Sequence, residues 1–151
     1  MKKKELSVSA IKEGTVIDHI PTDSTFKVAE ILKLEGHRNM ISIATNLHSK
    51  RMGKKGIVKV GGKSLTKEEV DKIALIAPNA TVNIIQDYEV KKKLKVSVPD
   101  KLENIIKCSN PNCITNNEKT DTKFYVVKKD PIKVKCYYCE RIMEKEDIKL
   151  V

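Results

Sequence analysis

The chain has 151 residues, of which 40% are apolar and 33% charged, values that suit one ordinary domain or two small ones and exclude a disordered or collagen-like chain. No apolar run approaches the about 18 residues of a membrane-spanning helix, and Lys2-Lys3-Lys4 leads into Glu5 and Ser7 rather than a signal-peptide core, so a cytoplasmic protein with no membrane partner is expected. Thirty Lys and Arg against twenty Asp and Glu leave +10, which favours a polyanionic or acidic partner, while 4% aromatics and no Trp argue against a base-stacking nucleic-acid platform.

The β-branched run Thr15-Val16-Ile17-Asp18-His19-Ile20 predicts a strand that stops at Pro21. Asp23 or Ser24 then caps a helix whose apolar positions are Phe26, Val28, Ala29, Ile31, Leu32 and Leu34, with Gly36 at its stop. Met40 to Ala44 alternates with period two and reads as a second strand. A loop with Gly53 and Gly56 leads into a third, Ile57 to Val60, closed by Gly61-Gly62. Thr66 and Glu69 have capping-box spacing at the start of a second helix, Lys67 to Ala77, with Pro78 beyond it. Thr81 to Ile85 is a fourth strand, and Tyr88-Glu89-Val90 begins a fifth. Two split strand-helix-strand units of this kind predict a ferredoxin-like α+β domain, one sheet with both helices on one face.

Residues 91–99 change character. Lys91-Lys92-Lys93 and Lys95 crowd together before Val98-Pro99, so this stretch reads as a connection that closes a first domain, 1–99, ahead of a second, 100–151. The first holds 19 basic and 11 acidic residues and the second 11 and 9, which places most of the positive excess before the boundary. In the second, Lys123 to Val127 and Ile132 to Lys135 predict a hairpin around Asp130-Pro131. A small β-rich module with so few large apolar side chains needs a staple.

All four cysteines lie in this second part: four residues separate Cys108 from Cys113, two separate Cys136 from Cys139, and twenty-two separate the pairs. Each short pair can grip one ion and the long segment folds back to join them, giving four thiolates and no vacant coordination position. Zinc fits such a structural site, with one ion per chain. Iron in a rubredoxin-like site competes because it accepts the same ligands, whereas a redox dithiol explains only Cys136 and Cys139. Lys107, Lys135 and Arg141 would offset the charge of the tetrathiolate.

The run AIKEGTVIDHIP from Ala10 to Pro21, ATVNIIQDYEV from Ala80 to Val90, the Ser97-Val98-Pro99 connection, and CSNPNC with CYYCE together resemble the regulatory chain of aspartate carbamoyltransferase, in register over nearly the whole chain. That resemblance implies a non-catalytic subunit of pyrimidine biosynthesis, with an N-terminal nucleotide-effector domain and a C-terminal zinc domain. Regulatory chains of the family pair as homodimers through their effector domains, and their zinc domains grip catalytic chains, three dimers bridging two catalytic trimers. CTP inhibits, ATP competes with it as an activator, and in some members UTP acts with CTP.

Carried over position by position, the resemblance gives Val8 and Ile11 to the base, Asp18 to the nucleoside and His19 to the neighbourhood of the phosphates. Lys59 serves the ribose and base side, Asn83 the ribose or phosphates, and Tyr88 offers its backbone to the base. Val90 lines the phosphate end and Lys93 matches the phosphate-binding lysine, with Lys91 and Lys92 beside it and able to exchange roles through a short shift of the strand. Read as residue types alone, Asp18 also suits a turn cap, Asn83 a strand-edge partner and the lysines a solvated face. No Gly-rich loop ending in Lys-Ser or Lys-Thr occurs, which disfavours a nucleotide hydrolase. A zinc-ribbon nucleic-acid binder is the competing class, weakened by the +2 of the cysteine-bearing part.

Overall fold

The computed structural model describes residues 10–151, so Val8 lies outside the described residues. The chain divides into two compact units with the boundary between Val96 and Ser97. None of the described helices is long and apolar enough to cross a membrane.

The first unit runs β1 (Gly14–Pro21), α1 (Thr25–Ile31), β2 (Ile41–Ser49), β3 (Gly53–Gly61), α2 (Lys67–Ile76), β4 (Thr81–Gln86) and β5 (Glu89–Lys95). Its sheet has the order β2-β3-β1-β4-β5, every neighbour antiparallel. β3 lies between β1 and β2, and β4 flanks β1 on the other side, which is the interleaving expected of two split strand-helix-strand units. β5 adds an edge.

Side chains alternate across this sheet, so each strand serves two faces. Ile17 pairs with Val58 on one side and Val82 on the other, and all three are buried. Gly56, on the same face of β3 as Val58, supports the side chain of Thr25 so closely that a Cβ there would collide with it. That contact fixes α1 on this face, and α2 packs against α1. The opposite face carries a smaller apolar cluster of Ile11, Val16, Ile57 and Ile85, with Ala44 and Leu47 packed against it.

Three elements differ from expectation. α1 ends at Ile31, with Lys33 at φ +49, because the chain must already turn toward β2; Phe26 is 65% exposed and does not join the core. Ser24 occupies the cap position without a side-chain cap bond. Residues 91–95, expected to form a connection, are the second half of β5. An edge strand tolerates a lysine run because its side chains reach water while β4 supplies its backbone partners. The capping box of α2 forms as expected, with Glu69 N–H donating to Thr66 Oγ1 and Thr66 N–H donating to Glu69 Oε1.

The second unit contains β6 (Lys101–Glu103), β7 (Ile106–Lys107), α3 (Ile114–Asn117), β8 (Lys123–Lys129), β9 (Ile132–Cys136), β10 (Ile142–Glu144) and β11 (Lys149–Leu150). A four-stranded sheet has the order β10-β9-β8-β6, and β11 pairs with β7. Its core is Leu102, Ile105, Ile106, Phe124, Val134 and Met143, all fully buried. Six such side chains make a small core, and the cysteines close one side of it.

Candidate functional site

The helix-free face of the first sheet gathers the polar residues singled out in the sequence. Strand register places Ser42 opposite Lys59, Lys59 opposite Val16, Val16 opposite Asn83 and Asn83 opposite Lys93, so one row crosses all five strands. Lys92 pairs with Ile84 and therefore faces the helix side, while Lys91 falls at a register shift and ion-pairs with Glu89. Of the three neighbouring lysines, Lys93 shares the face of Lys59 and Asn83. The half-buried Asn83 keeps a buried Oδ1 with no hydrogen-bond partner among the described residues.

One end of this face is cationic. A bulge in β1 between Ile17 and Ile20 puts His19 at φ +57, where its N–H donates to Asp18 Oδ1 (2.6 Å) and its Nδ1 meets Thr81 Oγ1 (3.0 Å). Lys55 Nζ reaches the same Asp18 oxygen at 2.8 Å. Burial opposes ionisation of Asp18, but the Lys55 ammonium and the His19 amide outweigh it and hold the carboxyl below its ordinary value. His19 is pushed below its ordinary value by burial and by Lys55, Arg51 and Lys93, against the pull of Asp18. Burial also lowers Lys59, with Asp18 opposing.

The other end is apolar. Asp87 and Tyr88 both have positive φ and make the two-residue turn joining β4 to β5, while Tyr88 N–H donates to Lys12 O (3.0 Å). Ile11, Lys12, Gly61 and Tyr88 help to line a cleft of about 470 Å³. Val90 pairs with Ile85 at this end, so it stands with Ile11 and Tyr88 and not beside His19, where the phosphate end was expected. The bulge between Ile84 and Ile85 separates Val90 from Lys93 along β5.

Sequence reasoning does not find Lys55, because Gly53 and Gly56 mark its segment as a loop, nor Thr81, whose partner His19 is turned toward it by the β1 bulge. The period-two pattern of Lys55, Ile57 and Lys59 is the available signal for the first of these.

In the second unit the four cysteine sulfurs lie within 4.8 Å of one another. Cys108 and Cys139 are 3.6 Å apart and Cys113 and Cys136 3.8 Å, too long for disulfides and close to the ~3.8 Å edge of a tetrahedron with ~2.3 Å metal–sulfur arms. The donor set therefore fits a four-thiolate metal. Asn116 Nδ2 donates to Cys108 O and Asn110 O, and Asn117 Nδ2 to Pro111 O and Cys113 O, which ties the first cysteine loop to α3. Thr115 Oγ1 donates to Cys113 Sγ. Across the site, Cys136 N–H donates to Arg141 O and Glu140 N–H to Cys136 O, closing the turn between β9 and β10.

Burial pushes the Cys108 thiol up to about 12 and raises Cys136 as well. At Cys139 burial also opposes ionisation, but bonds from the Arg141 amide, Asn110 and the neighbouring thiols outweigh it and bring the group to about 7. Without a cation Cys108 and Cys136 keep their protons, so binding a metal ion there displaces them.

Residues 6–97 match the family described as aspartate carbamoyltransferase regulatory chain, allosteric domain, and residues 100–149 match its metal binding domain. Proteins named aspartate carbamoyltransferase regulatory chain from Pyrococcus abyssi and Pyrococcus horikoshii are 61% and 60% identical over 146 residues, covering 95% of this chain and 96% of each relative. One from Parabacteroides distasonis is 51% identical over 147 residues, covering 97% of this chain and 96% of that relative. An allosteric domain and a four-cysteine metal-binding domain in one chain, matched over 95% or more of its length by such relatives, place this protein in the aspartate carbamoyltransferase regulatory chain family, as a regulatory and not a catalytic subunit.

Proposed function

We propose that the helix-free face of the first unit binds nucleoside triphosphates, CTP and ATP in competition and UTP alongside CTP, and that the chain relays their binding to catalytic chains in cytoplasmic pyrimidine biosynthesis. The observation that carries this reading is the row Lys59–Val16–Asn83–Lys93, in which a buried carboxamide oxygen lies between two lysines on the same face with no hydrogen-bond partner among the described residues. A triphosphate needs several cations together with amide or hydroxyl partners. Lys55 and Lys93 supply the cationic end with His19 beside them, Lys59 and Asn83 the middle, and Ile11, Tyr88 and Val90 the apolar end for the base. Asp18 orients Lys55 and the His19 amide and remains able to meet the nucleoside.

In this reading residues 1–99 are the effector domain, which pairs with a second copy as a homodimer, and residues 100–151 are the domain that grips catalytic chains. Cys108, Cys113, Cys136 and Cys139 hold one zinc ion, which supplies cross-linking and charge to a small core and no catalysis. A single four-thiolate ion accounts for the set better than a redox dithiol, because all four sulfurs lie within 4.8 Å of one another and not those of Cys136 and Cys139 alone.

Calorimetry of the full chain with CTP and ATP tests the binding, and aspartate saturation of holoenzyme reconstituted with catalytic chains tests the relay. Nucleotide binding without any change in aspartate saturation would leave a binding protein and remove the regulatory function proposed for it.

A further inference from the structure

The loop that joins α1 to β2 is tied to the end of β3 by two hydrogen bonds. His37 Nε2–H donates to Gly61 O (2.8 Å), and Gly61 N–H donates to Met40 O (2.7 Å). Gly62 N–H in turn donates to Glu13 O (2.9 Å), so this loop, the end of β3 and the segment before β1 form one hydrogen-bonded wall. That wall is one side of the cleft that Ile11 and Tyr88 line at the apolar end of the helix-free face.

Asn39 stands on this wall, exposed to the cleft. Gly62 has φ +68, and a Cβ on it would collide with Asn39 Nδ2, so the carboxamide takes the space that a side chain at position 62 would fill. Gly61 and Gly62 bring no side chain to the cleft, and Ile11 and Met40 are apolar. Lys12 and Glu13 carry full charges. Among the described lining residues, Asn39 alone has a neutral donor and a neutral acceptor side by side.

That pair is what the bases of CTP and ATP have in common. Cytosine and adenine differ in size, but each carries an exocyclic amine next to an unprotonated ring nitrogen, a donor beside an acceptor. A carboxamide complements the two together, with its oxygen on the amine and its N–H on the ring nitrogen, the pairing by which asparagine reads adenine in DNA. Apolar contact from Ile11 favours a base without distinguishing one from another, so a site that takes one pyrimidine and one purine needs a polar group aimed at the edge they share.

We infer that Asn39 reads the base of the effector: Oδ1 accepts from the exocyclic amine of CTP or ATP and Nδ2 donates to the adjoining ring nitrogen, with Gly62 leaving room for the carboxamide and His37 holding its loop. The inference rests on the nucleotide reading above and adds a specificity-determining residue to it.

The test is a competition titration of the full metal-loaded chain and its Asn39→Ala, Asn39→Leu and Asn39→Asp variants with four nucleotides: CTP, ATP and the analogue of each in which hydrogen replaces the exocyclic amine. The unaltered chain is expected to prefer each amine-bearing nucleotide to its analogue. Asn39→Ala and Asn39→Leu should lower that preference by about threefold to tenfold, the worth of one neutral hydrogen bond. Leucine keeps the volume of the carboxamide, so a loss there does not come from an emptied wall. Asn39→Asp keeps an acceptor for the amine and should retain the preference, at lower overall affinity because its charge opposes the triphosphate.

A preference in Asn39→Ala and Asn39→Leu equal to that of the unaltered chain, with CTP still bound, would overturn the inference and leave the nucleotide reading standing. An unaltered chain that binds CTP and its analogue equally would overturn it as well, and loss of the preference in Asn39→Asp would remove the amine from Oδ1. Failure of the unaltered chain to bind any of the four nucleotides would overturn both readings.

Discussion

Asn83 and Lys93 stand directly opposite each other on β4 and β5, and the buried Oδ1 of Asn83 has no hydrogen-bond partner among the described residues. Lys92, one residue away, faces the helices. This parity distinguishes two chemically identical neighbours. Lys93→Ala is expected to weaken CTP and ATP alike by roughly tenfold to a hundredfold, the loss of one hydrogen bond to a charged group, whereas Lys92→Ala leaves both nearly unchanged. Calorimetry on the two variants decides it. Equal losses at both positions would show that the strand register does not govern phosphate contact.

His19 provides a pH signature. In the free chain burial and three cations hold it below its ordinary value, and a triphosphate beside it would pull it back up. A ligand that raises the pKa of a group is bound with proton uptake, so the His19 contribution to affinity grows as pH falls through the interval between the free and bound values. The quantity to measure is the difference between the unaltered chain and His19→Gln from pH 8 to pH 5.5, because the γ-phosphate titrates equally in both. A difference that stays flat over that range would place His19 away from the phosphates.

The four cysteines were legible because short paired spacings force a single cluster, and the capping box of α2 because Thr66 and Glu69 state both halves of a local motif. Strand order was legible from the alternation of strands and helices. The second half of β5 was not, because lysine has low strand propensity and only pairing with β4 holds Lys91 to Lys95 extended. Lys55 was hidden for a similar reason. Its ion pair with Asp18 joins residues far apart in sequence, and it depends on a bulge in β1 that no local pattern announces.

The metal centre leads to a stability prediction. The Ser97–Val151 unit buries few large side chains, so a bound ion contributes a major share of its folding free energy. Chelation, or Cys113→Ser, is expected to unfold that unit and abolish association with catalytic chains while CTP binding by the first unit persists. About one ion per chain is expected by metal analysis, and because Cys108 and Cys136 hold their protons in its absence, uptake should release protons and strengthen as pH rises. Unchanged metal content in Cys113→Ser would contradict the four-thiolate site.

Gly56 tests the packing of α1 on the sheet. A Cβ at this position meets the Thr25 hydroxyl and methyl groups, and Thr25 is fully buried with its own bonds to Thr22 O and Thr45 Oγ1. Gly56→Ala is expected to destabilise the first unit by about 1–3 kcal/mol, typical of forced overpacking, and Thr25→Ala in the same chain should cost less than the two single changes added together, because it removes the hydroxyl and methyl that the new Cβ meets. Denaturant unfolding of the single and double variants gives both values. An undiminished midpoint in Gly56→Ala would mean that α1 shifts freely on the sheet.

The junction between the units supplies the last prediction. Val96 is buried and its N–H donates to Ala80 O, and Val98 is buried as well, so a single exposed residue, Ser97, separates two anchored valines before Pro99. An effector can change catalysis only if it binds two quaternary states with different affinity, and that difference must pass from one unit to the other. A proline fixes φ where a glycine would leave the backbone free, so the Ser97–Pro99 segment is stiffer than a glycine-containing one. Replacing Ser97 and Pro99 by glycine keeps both valines and both folds but loosens the tether. Metal content, CTP binding and assembly with catalytic chains are therefore expected to persist, while the shift in aspartate saturation produced by each nucleotide falls. Aspartate saturation of reconstituted holoenzyme with and without nucleotide measures this, and a full response in the double-glycine chain would show that the signal crosses by another route.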